Sequence, residues 1–411
     1  MLLKLLPLLF VATLAYSRSV NSDDKDLTTA ISDIEPTKGI VGNPTNEVQK
    51  CILRDGRNGE CVKYYLCNMS NNTVILDTPI DTSSDGLCAS YLYKCCAVAD
   101  SGLASDPVAP TRLLHPARVQ RSDPGQLERQ GCGWRNSDGV GFLTKGLPDS
   151  ETKFGEFPWA CALLKMVPVN ESEPDGQKVQ VYVGGGSLIH PSVVLTAAHL
   201  VAKEQHLHAR AGEWDTQNIK EIYPHQDRDV ATIVVHQDFN SGNLVYDIAL
   251  LFLTQPMELA PNVGVVCLPP PKQRTPEGTR CFAIGWGKDK FGKEGRYQAI
   301  LNKAEVPIVE HKRCQQQLRQ TRLREHFQLH PTFMCAGGEE EHAMCRGDGG
   351  GPLSCPIETE PGRYMQSGIV AWGIDCAMQG VPGVYADVAS LRDWIDDKVV
   401  GKGLDHKVYT Y

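Results

Sequence analysis

The chain has 411 residues, more than one ordinary domain needs and enough for two. Its formal net charge is −8, with acidic and basic residues mixed along its length, so no concentrated basic stripe marks it as a nucleic-acid binder. Apolar residues at 41% and aromatics at 7% suit globular domains joined by polar linkers and exclude a membrane-embedded protein.

Residues 1–17 carry Lys4, an apolar run over 5–15 and the small residues Ala15 and Ser17 at the −3 and −1 places of a cut after Ser17. That is the pattern of a secretory signal peptide. The run is too short to cross a bilayer, and no later stretch reaches ~20 apolar residues, so the mature chain is expected to be extracellular with no membrane span. Fifteen cysteines fit that route, because disulfides persist in oxidising compartments. The sequons at Asn68, Asn71 and Asn170 agree with it.

Residues 18–50 are polar and read as a disordered lead-in. Cys51, Cys61, Cys67, Cys88, Cys95 and Cys96 then crowd into residues 51–96. A segment this short buries too little apolar surface to hold itself, so three disulfides are expected, and spacing alone allows 15 pairings. Residues 97–131 hold Pro107, Pro110, Pro116 and Pro124 with Arg112, Arg118, Arg121 and Arg129. This reads as an exposed linker, where proteolytic cutting concentrates.

From 132 to 400 the texture changes. Runs such as Val179–Val183, Val193–Leu195 and Ile248–Leu253 are separated by Gly and Pro turns and read as short strands of a closed β structure. A helix is expected over about 388–400, around Trp394 and Ile395, with 401–411 as a C-terminal tail.

Three motifs follow in order here: Leu195-Thr196-Ala197-Ala198-His199, Asp247-Ile248-Ala249-Leu250, and Gly347-Asp348-Gly349-Gly350-Gly351-Pro352. Each alone is weak; together, with Gly285-Trp286-Gly287 and Ala371-Trp372-Gly373, they resemble the chymotrypsin-family serine proteases. The resemblance covers 132–400 and implies an all-β, chymotrypsin-like double β-barrel with a C-terminal helix. It also implies that His199, Asp247 and Gly349 stand at the triad positions. Active members carry serine where this chain has Gly349, and glycine has no atom with which to attack a carbonyl. Loss of that nucleophile alone costs on the order of 10⁶ in rate in related chemistry, so the chain is expected to be a pseudoprotease.

The activation apparatus departs as well. The stretch Gly141–Gly146 lacks the Ile-Val-Gly-Gly pattern, so Asp348 is expected to be without its usual amino-terminal partner. Ala343 matches the pocket floor, where a preference for Lys or Arg would need a carboxylate; Gly373 and Gly383 match the pocket walls. The resemblance pairs Cys132 with Cys267, Cys281 with Cys355, Cys314 with Cys335, and Cys345 with Cys376. The family's histidine-loop disulfide is missing at both ends, where Gly184 and Leu200 stand, and its loss is expected to loosen the loop that carries His199. Cys161 is left over: an intermolecular bond, a free thiol and a rewired pair all remain open. Glu213, Asp215, Asn218 and Glu221 resemble the calcium loop of trypsin-like proteins and imply a structural calcium; a solvated acidic loop is the alternative. No cofactor is expected for catalysis.

The spacing of the six N-terminal cysteines, ending in the adjacent Cys95-Cys96, is similar to the clip domain that precedes many arthropod serine proteases. That resemblance implies the pairs Cys51–Cys95, Cys61–Cys88 and Cys67–Cys96. The whole chain therefore resembles the clip-domain serine protease homologues. This implies a secreted haemolymph cofactor of the melanisation cascade, cut by an upstream protease and acting on prophenoloxidase or its activating clip-domain protease, with homo-oligomerisation as a further implication. The alternatives are a microbial-surface recognition or adhesion protein and a negative regulator of the same cascade.

Overall fold

The fold is described from a computed structural model, which describes residues 39–40, 50–52, 58–63, 80–81, 93–97, 130–141, 144–145, 148–168, 176–217, 221–287, 297–339, 348–374 and 379–411. The signal peptide, the linker 97–129 apart from Ala97, all three sequons, Ala343, Asn218 and the pair Cys345–Cys376 lie outside them, as do the three expected clip pairings.

The N-terminal part contributes five short strands: β1 (Gly39–Ile40), β2 (Lys50–Ile52), β3 (Asn58–Lys63), β4 (Ile80–Asp81) and β5 (Tyr93–Ala97). Strands β2, β3 and β5 make an antiparallel sheet in that order, with Cys61 opposite Cys95 and Glu60 opposite Cys96. The segment expected to hold the altered activation site forms β6 (Thr144–Lys145), which pairs in parallel with β4.

Two closed barrels follow. The first comprises β7 (Ala160–Pro168), β8 (Lys178–His190), β9 (Val193–Thr196), β10 (His208–Ala211), β11 (Gln226–Val235) and β12 (Ala249–Leu253). Its strands run β8-β7-β10-β11-β12-β9, β9 returns to pair with β8, and β1 lies on the free edge of β8 at Val181 and Tyr182. The 13 residues of β8 let one strand serve both ends of the closure. The helical turn α1 (Ala198–Val201) sits directly after β9.

The second barrel comprises β13 (Arg280–Gly285), β14 (Asn302–Val309), β15 (Phe333–Ala336), β16 (Pro352–Pro356), β17 (Tyr364–Trp372) and β18 (Gly383–Asp387), closed in the order β13-β14-β15-β18-β17-β16. Helix α2 (His311–Arg319) crosses between β14 and β15, and helix α3 (Val388–Gly401) closes the domain. Both helices begin on carboxylate caps. Glu310 accepts from the Arg313 N–H, and Asp387 from that of Ser390. The expected strands at 179–183, 193–195 and 248–253 thus fall in β8, β9 and β12.

One continuous core runs through the first barrel into the seam with the second, through Trp159, Leu188, Leu195, Ile248, Ile284 and Ile369. Closure to a barrel makes alternate side chains inward-facing and removes the sheet edges. The last residues are not a loose tail. A 3₁₀ turn at His406–Tyr409 buries Tyr409 completely, and its carbonyl accepts the N–H of Leu268 at 2.9 Å.

Three disulfides form among the described residues: Cys132–Cys267, Cys281–Cys355 and Cys314–Cys335. The first ties the segment after the linker to the barrels. A buried ion cluster ties it again: Arg135 and Lys303 both bond Glu156, Lys303 Nζ at 2.9 Å, and the guanidinium carbon lies 4.2 Å from the centre of the Phe282 ring. Glu156 is fully buried, and two cations at one carboxylate offset its desolvation.

Candidate functional site

Short α1 places His199 between the barrels, and the loop before β12 supplies Asp247. His199 Nδ1 lies 2.6 Å from Asp247 Oδ2, and the His199 N–H donates to Asp247 Oδ1 at 2.8 Å. Asp247 is fully buried. The pair has the geometry of a histidine fixed by a carboxylate, with the other ring nitrogen aimed away. That nitrogen, His199 Nε2, is buried and has no hydrogen-bond partner.

Gly349 faces it. A Cβ built on Gly349 would lie 3.0 Å from His199 Nε2 and 3.4 Å from Cε1. Gly349 is held by its own carbonyl, which accepts the Gly185 N–H at 2.8 Å. The neighbouring Gly350 adopts φ +79°, and a Cβ there would fall 2.4 Å from the Gly185 carbonyl and from Thr196 Oγ1. Glycine at 350 is therefore required by conformation and by space.

Asp348 takes a backbone partner. Its Oδ1 accepts the Gly287 N–H at 2.7 Å. Side chains at Gly285 or Gly287 would enter the carboxylate, with Cβ atoms 2.2–2.3 Å from its oxygens. Two tyrosines flank it. Burial first, and then the Asp348 charge, raise the hydroxyls of Tyr182 and Tyr385 above the ordinary tyrosine range. The reason is local: the Gly285-Trp286-Gly287 turn lets backbone approach the carboxylate closely.

In the histidine loop, the packing of Leu200 stands where the disulfide is missing. Leu200 is 6% exposed and belongs to the main core. Its methyl carbon Cδ1 lies 2.5 Å from where a Gly184 Cβ would be and 2.7 Å from a Cβ at Gly350. A leucine side chain thus fills the room that the two missing cysteines would share. The sequence showed the paired loss but not the filling, since Leu200 carries no motif of its own.

At the pocket walls, Gly373 has open space around a Cβ position, and a Cβ at Gly383 would touch the Tyr385 ring at 3.4–3.5 Å. Cys161 is free and buried, on β7 opposite Gly186 and Ala211. Burial pushes its thiol up to about 12, so it stays neutral and inert.

In the acidic loop, Glu213 Oε2 lies 3.2 Å from Arg210 Nη1 and 3.4 Å from His225 Nδ1. Glu221 Oε1 accepts the Asp215 N–H at 3.0 Å, Oε2 is buried without a hydrogen-bond partner, and Asp215 Oδ1 accepts the Gln217 N–H. Burial raises Glu213 to about 7 against the pull of Arg210. Burial and the Glu213 charge raise Glu221 to about 9. No group of three or more His, Cys, Asp or Glu side chains gathers as a metal site among the described residues. Of the four residues expected to hold calcium, Glu213, Asp215 and Glu221 lie in this loop, with Glu221 carrying the orphaned oxygen, and Asn218 lies outside the described residues.

A sequence model of the family described as Trypsin matches residues 155–395. The chain belongs to the trypsin family. Within this family it is 68% identical to "Phenoloxidase-activating factor 2" of Galleria mellonella over 69% of this chain and 94% of that one. It is 34% identical to "Inactive CLIP domain-containing serine protease A8" of Anopheles gambiae over 87% of this chain and 92% of that one. "Protein masquerade" of Drosophila melanogaster is 34% identical over 69% of this chain and 25% of its own length. The trypsin-family relatives named inactive agree with a pseudoprotease fold carrying a histidine–aspartate pair.

Proposed function

We propose that this chain is a secreted, noncatalytic protease homologue that works by binding in the phenoloxidase-activating cascade. The observation that carries the reading is Gly349 facing His199 Nε2. The histidine is built and oriented as a general base, and the residue opposite it offers no hydroxyl to deprotonate. An ordered fold retained around an empty nucleophile position favours a surface-borne role. Similarity to a protein named as a phenoloxidase-activating factor supports a role in that cascade, with prophenoloxidase or its activating clip-domain protease as the partner in this reading. An upstream protease cuts the basic linker over 97–131, and the clip domain is the second docking element. Purified prophenoloxidase and its activating protease, assayed with and without this chain, give the test. Phenoloxidase activity rises on addition if the reading holds, and an unchanged or lower yield refutes it.

No cofactor serves catalysis in this reading. A calcium ion would be held by Glu213, Asp215, Asn218 and Glu221; the orphaned Glu221 Oε2 and the suppressed ionisation of Glu213 and Glu221, which a bound cation would relieve, support a place for positive charge. Its role there is to brace the loop.

A further inference from the structure

Charge averaged over the chain conceals one strongly basic element. Residues 310–330 carry Lys312, Arg313, Arg319, Arg322 and Arg324 against only Glu310 and Glu325, on a chain of net charge −8. The carboxylate of Glu310 is spent on the helix start, accepting the Arg313 N–H at 2.9 Å. Lys312, Arg313, Arg322 and Arg324 are exposed. Arg313 makes one long exposed pair with Glu277 at 3.4 Å, a contact of little energetic weight. Neither Lys312 nor Arg322 has a carboxylate within ion-pair distance among the described residues.

The element is a rigid platform. Cys314 on α2 is bonded to Cys335 on β15, and Leu318, Leu323 and Leu329 pack with Phe333 and Trp372 beneath it. Nine helical residues span roughly 13 Å, and the cations continue beyond the helix end to Arg322 and Arg324. Between them stand the exposed amides Gln316 and Gln320, and the exposed Gln328 follows. A row of fixed cations interleaved with neutral donors and acceptors suits a linear polymer that carries both anionic groups and hydroxyls. The one Phe, Tyr or Trp of the segment, Phe327, packs edge-on against Trp372 and is not offered as a stacking face for nucleic-acid bases.

We propose that α2 and the turns after it form a binding site for a linear sulfated polysaccharide. The site lies outside the His199–Gly349 cleft and does not depend on the proposed function. Heparin is the probe, applied to the intact protein by affinity chromatography in a salt gradient and by fluorescence anisotropy. The protein is retained, and Lys312→Gln with Arg322→Gln elutes at lower salt and binds about tenfold more weakly near physiological salt. The control Lys203→Gln with Lys272→Gln elutes with the wild type. Equal thermal unfolding midpoints of the variants exclude misfolding as the cause. Neutral dextran does not compete, and dextran sulfate does. The proposal fails if the α2 variant and the wild type coincide. It fails equally if poly-glutamate or single-stranded DNA displaces heparin as well as dextran sulfate does, which would mark a site for acidic protein or for nucleic acid.

Discussion

A methyl group on Gly349 would meet His199 Nε2 at 3.0 Å, closer than side-chain carbons ordinarily approach. The ring stands partly in the space a serine would need. Gly349→Ser therefore supplies a hydroxyl in front of an oriented base but requires the ring to give by a few tenths of an ångström, and the variant is expected to show no turnover of peptide amides. A fluorogenic peptide assay checks this; robust hydrolysis by the single substitution would show that the rest of the machinery is intact. The acidic loop makes a second prediction. Glu213 and Glu221 sit above their ordinary value of 4.5 when folded, at about 7 and about 9. Groups raised on folding contribute their stability below the unfolded value, and it is lost as pH climbs through the folded ones. Stability at this loop thus declines between roughly pH 5 and 9. Glu221→Gln is expected to raise the melting temperature at pH 8 and leave it unchanged near pH 4. Calcium should raise the wild-type midpoint at pH 8 relative to chelator and do less for the variant. Cys161, buried and neutral, should escape alkylation by a maleimide in the native protein and react after unfolding, as peptide mass mapping will show.

At the scale of elements, the histidine loop shows how one packing arrangement replaces another. Leu200→Ala empties the space beside Gly184 and Gly350 and is expected to cost about 2–5 kcal/mol. Gly184→Ala drives a methyl into Leu200 and is expected to cost about 1–3 kcal/mol. Combined, the two should cost less than their sum, because the added methyl enters the vacated room; chemical denaturation of the four proteins measures it. The sequence made the strands and α3 legible because alternating and helical spacing are written locally in Val179–Val183, Ile248–Leu253 and the segment around Trp394. Motif order made the barrel pair and the His199, Asp247 and Gly349 positions legible. It could not show that Leu200 fills the disulfide's place, that Gly287 serves Asp348, or that Tyr409 closes over Leu268. Each depends on contacts between residues far apart in the chain, with no periodicity to mark them. Nor could motif order show that Arg210 reaches Glu213 from the preceding strand.

Across the whole molecule, two barrels, a buried Arg135–Glu156–Lys303 cluster and the Cys132–Cys267 bond hold an ordered body around a cleft with no nucleophile. In the proposed reading, a fold retained in this way without its hydroxyl acts through its surfaces. The reconstituted prophenoloxidase system separates these two sources of function when His199→Ala is compared with the wild type. The account predicts equal enhancement of phenoloxidase activity by the two proteins at matched concentration. Loss of the enhancement in His199→Ala, with its fold and binding to prophenoloxidase intact, would contradict it.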